Sequence, residues 1–181
     1  DNLFDALSDR EMRLPNVLVL PDVRLEGPFA RMFRAIALSR NLPVTTTGNY
    51  QRPMLESLLD GEAYLRSSLA PHHLREMRRQ WRQLEKLGAI SYTVTRQPKD
   101  IRYRMEEFLA LEASGWKGRK RTALVNDRYR AAFAREAITN LAEADAVRIH
   151  TIDLNGAAIA SMIVFMTAGE AYTWKTAFDE N

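Results

Sequence analysis

Cysteine is absent from the 181 residues. Its absence removes a thiol nucleophile, a thiolate zinc site and any disulfide framework, and makes an intracellular, cytoplasmic home the default expectation. Long apolar runs are missing too. The longest, residues 157–166, contains Ser161 and is about half the roughly 20 residues a membrane helix requires. No charged segment followed by an apolar one opens the chain, so nothing reads as a signal peptide. A strong charge of one sign is also missing: 26 Lys and Arg against 23 Asp and Glu leave +3, too little to announce a nucleic-acid protein. What remains is 46% hydrophobic, 27% charged and 9% aromatic residues, the composition of an ordinary globular domain.

The patterning predicts a mixed α/β chain. Asn16 to Leu20, apolar on both faces and closed by Pro21, reads as a short buried strand. Gly27-Pro28 opens a helix, and Val44 to Arg52 reads as an edge strand or extended crossover. Asp60-Gly61 starts a short helix, and His72 to Leu87 a strong one, with Gly88 placed as a left-handed cap. Ala89 to Arg96 alternates as a strand. Pro98 opens a helix to about Gly115, and Asp127 caps another to about Ala144. Three strands close the sequence, Val147 to Leu154, Ala157 to Thr167 and Ala171 to Asp179, the first two joined by the hairpin signal Asn155-Gly156. The chain opens on Asp1 and stops at Asn181 within a strand-like pattern, so a piece of a longer protein is expected.

Four places carry candidate chemistry. On the helix from His72, the residues Leu74, Met77, Trp81 and Leu84 share a core-facing arc, and Arg75, Arg78, Arg79, Arg82 and Lys86 share another. That row is either a solvated face or a surface for phosphates of nucleotide, RNA or acidic lipid. The histidines, His72, His73 and His150, lack the carboxylate spacing of a metal site, so no metal is expected, although His150 could act as a base. The loop Gly115-Trp116-Lys117-Gly118-Arg119-Lys120-Arg121-Thr122 fails the Walker pattern, yet it could serve as a charged site mouth or as a plain linker. Glu112 projects into the apolar stripe Ile101, Met105, Phe108, Leu109 and Trp116, so it is either a buried ion pair with Arg or Lys or a raised-pKa base. In the last strand, Tyr172, Trp174, Thr176 and Phe178 occupy one face, read as core. Lys175, Ala177 and Asp179 occupy the other, where Lys175 and Asp179 either flank a ligand or sit at a rim.

Taken in order, the segments Ser68-Leu69 through Arg78-Arg79-Gln80 to Gly88, Leu111-Glu112-Ala113-Ser114-Gly115-Trp116-Lys117-Gly118, Leu154-Asn155-Gly156-Ala157-Ala158-Ile159-Ala160 and Lys175-Thr176-Ala177-Phe178-Asp179 resemble the CelD-like acyltransferase branch of the GNAT superfamily. That branch takes its name from bacterial cellulose and exopolysaccharide synthesis and is similar to the FemAB aminoacyltransferases. The resemblance implies a GNAT fold, a mainly antiparallel sheet flanked by helices and incomplete at the C-terminus. It implies residues 1–60 as the end of a preceding GNAT-like half, 61–88 as a connecting basic helix, and 89–181 as the first part of an acyltransferase domain.

It also implies acetyl-CoA or another acyl-CoA as donor, and a small-molecule, saccharide or amine acceptor. The last strand is expected to splay from its neighbour and bind the donor's pantetheine arm through Trp174, Lys175, Thr176 and Ala177. Trp116, Lys117 and Lys175 are the substrate-binding candidates, with Glu112 and Asp179 as the catalytic ones. The sequence departs from the family at Arg121-Thr122-Ala123-Leu124, where Gly-Thr-Ala-Leu is usual, and the phosphate loop with its helix would follow Asn181. Two other readings stay open: a tRNA- or nucleic-acid-binding, aminoacyltransferase-like module using the basic helix, and a non-catalytic GNAT-like scaffold.

Overall fold

The computed structural model describes residues 2–180 and divides into two compact units, residues 1–56 and 57–181. In the first unit, α1 (Asn2–Ser8) and α2 (Pro28–Ser39) carry the packing. Pro28 fits the first helical position because its missing N–H would have no intrahelical partner there. The rings of Phe4 and Phe33 lie 4.9 Å apart, and Ala30 and Ala37 are buried. Asn41 ends α2 with φ 55°, a left-handed conformation its short polar side chain tolerates.

Residues 16–20 are not a strand, and Val17 and Val19 are more than 70% exposed. A strand forms only against a partner, and among the described residues this run has none. Residues 44–52 likewise form no ladder.

In the second unit, Asp60 caps α3 (Gly61–Ser68) by accepting from the Ala63 N–H, and Pro71 opens α4 (Pro71–Glu85). The core-facing arc expected of α4 does not reach a core. No α4 residue is buried, and Met77 and Trp81 are 48% and 40% exposed. Its pattern makes the helix amphipathic, but its apolar side is only partly covered: Leu74 and Leu84 are half-buried, and the helix packs against the short α3.

The core lies between one sheet and two helices. β1 (Ile90–Thr95), β2 (Val147–Leu154), β3 (Ala157–Thr167) and β4 (Glu170–Phe178) form an antiparallel sheet in the order β1-β2-β3-β4. Both tight turns of the β2-β3-β4 meander use positive φ, Asn155-Gly156 and Ala168-Gly169, the pairing that matches strand twist. On one face lie α5 (Pro98–Ser114) and α7 (Arg128–Glu143), joined through a single-turn helix α6 (Trp116–Arg119) and a 3₁₀ turn, Leu124–Asn126. Ile101, Met105, Phe108 and Leu109 of α5 meet Ala134 and Ile138 of α7 and Val147, Ile149, Ile163 and Ala177 of the sheet. Asp127 caps α7 by accepting from the Tyr129 and Arg130 N–H groups, and these bonds hold its carboxyl below the usual range.

Gly88 is not left-handed. A Cβ there would overlap the Asn155 side chain, which accepts from the Ala89 N–H at 2.9 Å, so glycine serves close approach instead of a cap. β4 also departs from strict alternation. Ile163 faces Lys175 while Val164 faces Thr173, so Trp174 is an extra residue in the ladder. This bulge lets Trp174 stack on Phe165, 5.3 Å between centroids, while Lys175 and Ala177 face the helices. The aromatic face expected to be core is therefore largely exposed at Tyr172 and Phe178.

Candidate functional site

The site is built where the C-terminal end of α5 meets β4. Glu112 lies on the sheet-facing stripe of α5 and is 2% exposed. Its Oε1 receives Lys175 Nζ at 3.2 Å and Lys117 Nζ at 3.4 Å, and its Oε2 accepts the Leu124 N–H at 2.8 Å. Of the two readings left open for Glu112, the observed arrangement is the ion pair, with two lysines in place of one partner. A buried carboxylate needs such partners, because leaving its oxygens unpaired away from water costs several kcal/mol, roughly. One side chain thus ties together α5, the turn before α7, the α6 segment and β4.

Lys117 has a second role. Its Nζ donates to the Thr176 carbonyl at 2.7 Å, on the edge of β4 that carries no strand among the described residues. Two residues of one strand that differ by an odd number present their backbone groups to opposite edges. The Asp179 N–H donates inward to the Ile159 carbonyl at 2.8 Å, so Thr176 presents its N–H and C=O outward. The implied splaying of β4 from its neighbour is not seen: β4 pairs with β3 from Phe178 back to Glu170. Its free edge is the outer one.

Against that edge sits the α6 turn. Gly118 is required there because a Cβ would overlap the Ala113 carbonyl. Trp116, expected in the apolar stripe, lies beyond the end of α5 and is 43% exposed, flanked by Lys117 at 5.9 Å and Lys120 at 5.4 Å from its ring centroid. Glu180 accepts the Trp116 N–H at 2.8 Å and pairs with Arg119; the Arg119 hydrogen bond, then the Trp116 N–H, hold its carboxyl below the usual range. Leu111, Glu112, Gly115, Lys117, Thr176 and Ala177 help to enclose a cavity of about 10 Å³. That is room for about one water.

Of the residues singled out from sequence, Glu112, Trp116, Lys117, Lys175, Thr176 and Ala177 come together here. Trp174 lies apart, in the stack with Phe165. Asp179 follows β4, exposed, and is not among the residues around the cavity. His150 is on the sheet face away from α5, its Nδ1 2.6 Å from the Tyr92 hydroxyl; burial, then Arg148, push its pKa down. On α4, Arg79 pairs with Glu76 and Arg78 with Glu62, so the cationic row is partly neutralised. Sequence reasoning missed Glu180 and the Leu124 amide. Neither carries a local signal, because both act through contacts set by the fold.

A family model described as an acetyltransferase (GNAT) domain matches residues 71–181, and the chain belongs to that family. No curated protein and no solved structure matches it. The four-stranded antiparallel sheet with flanking helices is consistent with the GNAT-like fold, and acyl transfer is the class of chemistry that the family supports. No helix among the described residues is long and apolar enough to cross a membrane.

Proposed function

We propose that the chain carries the acceptor side and the first donor-binding strand of an acyl-CoA-dependent N- or O-acyltransferase. The observation that carries this reading is the outer edge of β4, which presents backbone groups at Thr176 with no strand beside them among the described residues. An extended arm bearing amides fits such an edge as an added strand would. The bulge at Trp174 favours this too, because bulges bend a strand where pairing must change.

When bound, acetyl-CoA or another acyl-CoA supplies an activated thioester. The residues of this chain then have separate tasks. Thr176 offers its outward N–H and C=O to the arm, with Ala177 and Lys175 framing it. Lys117, now on the Thr176 carbonyl, swings aside to open the edge. Glu112, with both oxygens engaged, acts as a positioning residue that fixes Lys117 and Lys175. Asp179, exposed at the end of β4, is the carboxylate we assign to take the proton that the amine or hydroxyl loses as its bond to the acyl carbon forms, while the thioester C–S bond breaks and the donor leaves as its free thiol. A role in polysaccharide synthesis accords with the CelD-like resemblance. Titration of the full-length protein with acetyl-CoA by calorimetry tests the reading. Saturable binding is expected, and none at millimolar donor would end it.

The nucleic-acid reading has less support, because carboxylates already occupy Arg78 and Arg79.

A further inference from the structure

β1 forms the other border of the sheet, and its outer edge carries no strand among the described residues. The Ala89 carbonyl accepts the Asn155 N–H at 2.8 Å, so Ala89 faces β2. Tyr92 and Val94 lie odd numbers of residues further along and therefore present their N–H and C=O outward. Proteins usually defend such an edge with a proline, a charged residue, a bulge or a covering element. β1, Ile-Ser-Tyr-Thr-Val-Thr, has no proline and no charge, and it pairs with β2 without a register shift. On the helix side, a hollow of about 450 Å³ lies between residues 93–97 and Asp100, Tyr103 and Arg104 of α5, so the edge is open there.

The two faces of the strand decide what the edge can accept. Ser91, Thr93 and Thr95 point to the helix side. Ile90, Tyr92 and Val94 point to the open side, where Tyr92 and Val94 are 58% and 47% exposed. A twofold axis perpendicular to the sheet sets the strand antiparallel to its own copy and keeps each face on its own side. Hydroxyl side chains then meet hydroxyl side chains, extending the row Thr93, Thr151 and Ser161, and Tyr92 and Val94 of one copy lie beside those of the other. The same axis brings like charges together, which a charged strand would not tolerate, and β1 has none to oppose. Of the charges near the hollow, Arg96 is matched by Asp145 and Arg104 by Asp153 and Glu107, while Lys99 and Asp100 are one of each sign.

We propose that this edge receives a second copy of the chain, β1 against β1, joining the two sheets into one continuous antiparallel sheet. The inference is independent of acyl transfer. It leaves the outer edge of β4 free at both far ends of the joined sheet.

Two measurements on the full-length protein, without donor or acceptor, test this. A ladder between six-residue strands is a small interface, so sedimentation equilibrium is expected to show a dimer dissociating at about 1–100 µM. Val94→Lys sets two ammonium groups near the axis, leaves the β1–β2 bonds in place and should weaken that dimer at least about tenfold. The second measurement uses the absence of cysteine, since a single introduced thiol can form a disulfide only with its counterpart in another copy. Opposed residues of an antiparallel pair have Cα atoms roughly 4.5–5.5 Å apart, within disulfide reach. Mild oxidation should therefore link at least one of Tyr92→Cys, Thr93→Cys and Val94→Cys, and leave Ala132→Cys, exposed on α7, unlinked.

A protein that sediments as a monomer throughout that concentration range overturns the proposal. So does a dimer that Val94→Lys leaves unweakened, or one that links at none of the three positions. Slow amide exchange at Tyr92 and Val94 in dilute, monomeric protein would mean that another segment already holds the edge, and would overturn it also.

Discussion

α4 and α5 are helices of similar length, 15 and 17 residues, and they end in opposite conditions. α4 has the cleaner division into apolar and charged sides, yet buries none of its residues. α5 has a blurred pattern and buries six, one of them Glu112. The difference teaches that amphipathic spacing predicts the helix, while burial depends on what stands opposite. α5 crosses a four-stranded sheet and meets α7, whereas within this unit α4 meets the short α3 and has no extensive partner.

The sharpest way to break that comparison is to truncate one apolar side chain on each helix. Phe108→Ala should cost about 3–5 kcal/mol, since the ring is fully buried and leaves a cavity. Trp81→Ala should change stability by no more than about 0.5 kcal/mol, as for exposed positions. Urea denaturation of both variants checks the contrast, and equal losses would mean that α4 is packed after all.

Next comes the charged residue in the α5 stripe. Glu112→Gln removes the partner of two lysines and leaves an amide among ammonium groups, a loss of roughly 1–3 kcal/mol, moderated because both lysines reach solvent. The same variant should raise KM for the acceptor as well as lower kcat, since a positioning residue affects both. A fall in kcat alone, with stability intact, would return Glu112 to the role of base.

A smaller effect lies under α5. Thr93 pairs with Thr151 and Thr151 with Ser161 across the sheet, and the three buried hydroxyls have no hydrogen-bond partner among the described residues. Thr151→Val should be neutral or stabilising by up to about 1 kcal/mol, because it removes an unsatisfied polar group at nearly constant volume. A clear destabilisation, read by thermal melting, would mean that bound water satisfies the row.

The smallest effect is the pH response. Glu106, Asp127, Asp145 and Glu180 are held below their usual pKa, the first and third chiefly by Arg135 and Arg96. A carboxyl lowered in the folded state stabilises above its unfolded pKa. Stability should therefore decline first as pH falls through about 6.5, where His150, held below its usual pKa by burial, favours the unfolded chain, and again as pH falls through and below about 4. Melting curves across that range check it; a maximum at lower pH would contradict the assignment.

The sheet half of the fold was legible in the sequence because its signals are local. Asn155-Gly156, Asp127 and Pro98 each act through their own or neighbouring backbone, and β2 and β3 fall on the expected residues. Glu112 was legible as an anomaly in an apolar stripe, but its partners were not: Lys175 lies 63 positions away, and no spacing rule reaches that far. Trp174 packs against the core as the aromatic pattern implies, but the break in alternation beside it is not legible, because a bulge depends on both strands. Residues 16–20 failed for the same reason, since an apolar run specifies a strand only where an edge awaits it.

The central claim is that the outer edge of β4 receives the donor's amide-bearing arm. Hydrogen exchange of the full-length protein with and without acetyl-CoA tests it most directly. The account predicts slowed exchange at the outward amides of Thr176 and Phe178 when the donor is bound. Donor binding that leaves both exchanging at the same rate would contradict it.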